Sequence, residues 1–102
     1  MMLLHEEKLL ILAIAENAKS VVAEIMNSIM ADFLEGENDN ARLVFNKFWH
    51  VLPLDMKHKV LHTCPFESTA NRLAEKNGIA KPWKQVGEFK WEYIGTEKNP
   101  YE

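Results

Sequence analysis

From Leu4 to Phe33 the chain runs for thirty residues without a Gly or Pro and keeps helical time throughout. Leu4, Ile11, Ala15, Ala18, Val22, Ile25, Ile29 and Phe33 recur at steps of three, four and seven. Those steps place them on one stripe, which Ile14, Val21 and Met26 widen. Glu16, Ser20, Glu24, Asn27 and Ala31 fall opposite. As a single helix this segment is ~45 Å long at 1.5 Å per residue. A compact domain of about 100 residues has a radius of gyration of only ~13 Å, so such a rod overhangs its own core. Either the helix breaks near Asn17 to Ser20, or a second copy covers the overhang. The unbroken stripe favours the second solution, a homodimer through Ile11, Ala15, Ala18, Val22 and Ile25, where two alanines allow close helix approach.

Gly36 to Asn40 is a loop, with Gly36 as the stop of the first helix. A second helix is expected from about Ala41 to Leu52, capped by Asp39 or Asn40 and ended by Pro53. Its apolar residues, Val44, Phe45, Phe48, Trp49, Val51 and Leu52, span a broad face and make it the central core helix. A third, short helix starts at Asp55 and reaches Cys64. A fourth runs from about Glu67 to Asn77, with Gly78 just past its end. Beyond Pro82 the period changes to two: Phe89, Trp91 and Tyr93 alternate with Lys90, Glu92 and Ile94. One strand cannot stand alone, so it pairs with Lys84 to Val86 across Gly87, or with another chain. The fold class expected is mainly α: a small helical bundle, with a long N-terminal helix plus three shorter helices, and a short C-terminal β-strand or hairpin. Residues 1–95 form a single helical domain and 96–102 a flexible tail.

Composition narrows the function. The 102 residues are 47% hydrophobic with four Gly and four Pro, which excludes disorder and collagen-like structure. A single Cys gives no internal disulfide and points to a reducing, cytoplasmic setting. The apolar run Leu9 to Ala15 is far shorter than the ~20 residues needed to cross a bilayer. Glu6 and Glu7 precede it where a secretory signal carries basic residues. Residues 1–55 hold nine acidic and four basic side chains, net −5, and residues 56–102 hold six and eight, net +2. An overall charge of −3 repels phosphate backbones, so direct nucleic-acid binding is not favoured.

Few constellations carry chemistry. His58 and His62 are spaced to share one helix face, and Cys64 or His50 could supply a third metal ligand. Lys59 stands where a zinc hydrolase places its glutamate, so no metal, cofactor or catalytic residue is assigned. Cys64 falls at a helix C-terminus, where the dipole opposes a thiolate, and reads as a small buried apolar residue. Thr69 to Val86 resembles a degenerate helix-turn-helix, with Leu73, Ala74, Gly78 and Ile79 in register; Lys81, Lys84 and Gln85 would then face DNA and the strand would act as a wing. Asn77 and Lys84 stand where that motif buries apolar residues.

The favoured reading is a non-enzymatic interaction protein. Asp32, Glu35, Glu37 and Asp39 surround the first loop as a negative patch suited to a basic partner, including one that normally holds nucleic acid. Trp83, Trp91 and Tyr93 add candidate aromatic anchors. In composition the chain resembles small acidic inhibitors of nucleic-acid enzymes, of the kind phages and mobile elements encode. The alternative is a DNA-binding regulator using residues 69–86.

Overall fold

The thirty-residue stripe does not form one rod. In the computed structural model, which describes residues 2–95, helix α1 spans Met2–Ala15 and helix α2 spans Lys19–Glu35. Between them Asn17 takes a left-handed backbone, φ 56°. Its N–H donates to the carbonyl of Ile14 (3.1 Å), and that of Ala18 reaches back to Ala13 (2.9 Å). This bond pair closes a helix over a left-handed residue, a conformation asparagine tolerates better than most side chains. The expectation of a continuous first helix is thereby corrected, and the fold has five helices rather than four. With α1 and α2 packed on each other, Leu10, Ala13, Val22, Met26 and Ile29 are buried.

The chain divides into two compact units, residues 1–60 and 61–102. In the first, α2 ends at Gly36, whose N–H donates to the Asp32 carbonyl, as does that of Asn38. A Cβ on Gly36 would stand 2.8 Å from that same carbonyl oxygen, so the glycine answers a close approach. The left-handed residue of the turn is Glu37, φ 51°. Asn38 caps the next helix, α3 (Asp39–Trp49), by accepting from the Ala41 N–H, one residue ahead of the expected cap. α3 is the aromatic centre of the unit. Phe45 meets Phe33 edge-on at 5.4 Å and stacks on Trp49 at 5.6 Å. Helix α4 (Leu54–His62) starts one residue before Asp55. Asp55 meets Lys19 of α2 at 2.8 Å.

The second unit is organised around Trp83. Helix α5 (Glu67–Lys76) ends at Gly78 in the left-handed region, φ 67°. The N–H of Ile79 closes the turn on the Ala74 carbonyl at 2.9 Å. Strands β1 (Trp83–Gly87) and β2 (Lys90–Tyr93) form the antiparallel hairpin, pairing Trp83 with Tyr93 and Gln85 with Trp91; a bulge follows Gln85. Asn71 of α5 grips the Trp83 backbone twice, donating to its carbonyl (2.8 Å) and accepting from its N–H (3.1 Å). The indole N–H donates to the Cys64 carbonyl at 3.2 Å. Tyr93 packs edge-on against the same indole at 5.3 Å. The mainly helical class and the C-terminal hairpin agree with the sequence; the tail expected over 96–102 lies outside the described residues.

Replacing Asn71 by Ala leaves two partly buried backbone groups of Trp83 without their partner. Urea denaturation is expected to show a loss of about 1–3 kcal/mol.

Candidate functional site

α1 and α2 pack so as to leave a groove along one side of the pair. Glu6 and Leu9 of α1 and Val21, Glu24, Ile25 and Ser28 of α2 line an open cavity of about 310 Å³. The groove exists because α1 is apolar on more than one face. Leu10 and Ala13 point into the core, while Leu9, Ile11 and Leu12 remain exposed, the last two at 59% and 58%. The sequence signal was the uninterrupted run Leu9 to Ala15: seven consecutive apolar residues surround a helix, and a single core contact can cover only part of it.

Glu6 is the unusual member of the lining. One of its carboxylate oxygens, Oε2, is buried with no hydrogen-bond partner among the described residues. Burial, and then the negative charge of Asp32, push its carboxyl above its ordinary value; His5 pulls the other way. The neighbouring acid, Glu7, accepts from Lys47 of α3 at 3.4 Å.

The remaining residues singled out from the sequence are distributed as follows. Of the expected dimer stripe, Val22 is fully buried within its own chain, Ala18 and Ile25 are half-buried, and Ile11 and Ala15 are exposed. The break at Asn17 leaves Ile11 and Ala15 on α1, Val22 and Ile25 on α2 and Ala18 in the turn between them, so they no longer form one straight seam. Around the first loop Glu35, Glu37 and Asp39 are exposed and Asp32 is half-buried. Trp83, a candidate partner anchor, belongs to the core; Trp91 and Tyr93 are half-buried, and among the described residues the exposed aromatic is Phe89, 91% accessible in the hairpin turn.

The recognition helix that the alternative reading would need after Gly78 is absent: Lys84 and Gln85 lie on β1, as the strand expectation had them, and Lys81 in the connector before it. The placement of a helix-turn-helix at 69–86 is therefore corrected. Lys81 pairs with Glu75 at 3.5 Å, and Lys84 stands across the ladder from Glu92. His62 is buried, with Nε2 3.0 Å from the Ala80 carbonyl and Nδ1 3.5 Å from the Tyr93 hydroxyl. Both ring nitrogens have protein neighbours, which opposes their use as metal ligands. Cys64 is buried, and burial raises its thiol to about 11.

No protein-family model, curated protein or solved structure matches the chain.

Three outcomes follow from these environments. A carboxyl with a raised folded value binds its proton more tightly in the folded state, so stability falls as pH climbs through the carboxylate range. Glu6→Gln is therefore expected to melt higher than the parent at pH 7, with the gap closing below about pH 4. The Cys64 thiol is expected to resist iodoacetamide at pH 8 in the native chain and to react once urea unfolds it. Ile11→Ser with Leu12→Ser should change stability by less than about 1 kcal/mol, while Val22→Ala costs about 1–3 kcal/mol in the same titration.

Proposed function

We propose that this chain is a non-enzymatic protein-interaction module, an adaptor or inhibitor that docks through α1 and α2. The exposure of Leu9 and Val21 on the groove walls, with Leu12 exposed on the same helix as Leu9, supports this reading. Isolated apolar side chains on a surface are ordinary, but several of them gathered at a concave site on packed helices mark a contact surface. The exposed acids Glu35, Glu37 and Asp39 belong to the same unit and suit a basic partner such as a nucleic-acid-binding protein. One free thiol fits a reducing cytoplasm. Among the described residues, no helix is long and apolar enough to cross a membrane. Self-association through the original stripe would have to do without Val22, which is committed to the core.

A second reading, DNA recognition, is favoured by one observation. In chain order α4, a four-residue turn over 63–66, α5 and a hairpin follow one another as the elements of a winged helix-turn-helix do, one helix earlier than the sequence suggested. On that reading Ser68 and Arg72 of α5 and Lys84 and Lys90 of the hairpin, all exposed, face the nucleic acid. Residues 61–95 carry five basic and four acidic side chains, so little net attraction supports it.

A photo-crosslinking amino acid placed at Leu12 separates the two in lysate of the source cells. The interaction reading predicts one crosslinked protein, retained after nuclease treatment and lost with Val21→Asp. Partners recovered only without nuclease, together with duplex binding that weakens steeply with salt and with Arg72→Ala, would replace it by DNA recognition.

A further inference from the structure

The lining of the groove also specifies what should enter it. Leu9, Val21 and Ile25 alone would accept any apolar surface, but Glu6 and Glu24 stand with them. Both are carboxylates in the groove lining, and Oε2 of Glu6 is buried without a donor among the described residues. Asp32 adds negative charge nearby. Two cations near the groove are engaged elsewhere, Lys19 of α2 with Asp55 at 2.8 Å and Lys47 of α3 with Glu7 at 3.4 Å. A second copy related by two-fold symmetry would bring the same pair of carboxylates to the contact. An open channel between two helices suits a third helix laid along it, which presents apolar and charged side chains at steps of three and four.

Resting on the protein-interaction reading above, we propose that the α1–α2 groove is the docking site for a basic amphipathic helix of a partner protein. Its apolar face meets Leu9, Val21 and Ile25, and its lysine or arginine side chains donate to Glu6 and Glu24. Charge-assisted bonds of this kind are the stronger class, and a guanidinium matches a carboxylate with two parallel donors.

The test uses a fluorescent helical peptide of about 15 residues, with leucines at helical spacing and lysines flanking them, and a twin in which every lysine is glutamate. The lysine peptide is expected to bind with an affinity that falls as salt rises, and the glutamate twin to bind far more weakly. Glu6→Gln with Glu24→Gln should lower the lysine peptide's affinity about tenfold or more, while the unfolding midpoint stays level or rises. That opposite movement separates a binding role from a structural one. Equal binding of both peptides would overturn the proposal, as would sensitivity to Glu35→Gln and Glu37→Gln but not to the groove acids. Self-association lost with Val21→Asp, with neither peptide binding, would also overturn it and assign the groove to a second copy. The Leu12 crosslink reports independently of peptide charge. A crosslinked partner with no peptide binding retires the basic helix and keeps the interaction module; no crosslinked partner retires both.

Discussion

The left-handed backbone at Asn17 is the constraint on which the first unit depends. Thirty residues of helical periodicity would otherwise extend beyond anything a chain this short can cover. Two backbone hydrogen bonds closing over Asn17 end α1 at Ala15 and let α2 restart at Lys19. The stripe that would have faced another molecule then largely faces itself. Val22, Met26 and Ile29 become core rather than interface, and the faces of α1 that the fold cannot use become the walls of a groove. Burial and exposure on these two helices are thus set by a single turn.

The second unit depends on a different device. A two-stranded hairpin has little stability alone, and here polar groups tie it to the helical part of its unit. Asn71 holds both backbone groups of Trp83, and the indole N–H reaches the Cys64 carbonyl. The aromatic that composition offered as a surface anchor is the residue the unit is built around. Gly95 belongs to the same arrangement, because a Cβ there would overlap the His62 ring and come within 2.6 Å of the Tyr93 hydroxyl.

Residues with one physical option were legible in the sequence. Gly78 supplied the left-handed close of α5, and the two-residue period after Pro82 gave a strand paired across Gly87. Pro53 did keep α3 and α4 apart, but α3 closes at Trp49, short of the expected Leu52. Asn17 had two options, since asparagine is acceptable inside a helix as well as at its left-handed end, and periodicity alone favoured continuity. Trp83 was ambiguous for a related reason: its long-range partners, Asn71 and Cys64, come from segments whose approach no local pattern announces. The groove was harder still. Apolar side chains on every face of α1 were visible, but which of them a neighbouring helix would cover depended on where the chain turned back. Glu6 gave no signal at all, because an orphaned carboxylate oxygen is defined only by packing.

A protein-interaction module with an acid-lined groove requires α1 to lie back along α2. Spin labels at His5 and Ser28 in a Cys64→Ala background test this directly by pulsed electron resonance. Helices packed at about 8–10 Å between axes put the two labels roughly 10–20 Å apart. A separation near 35 Å, the length of about 23 helical residues at 1.5 Å each, would mean one continuous rod. It would remove the groove and restore the stripe as the face that seeks a partner.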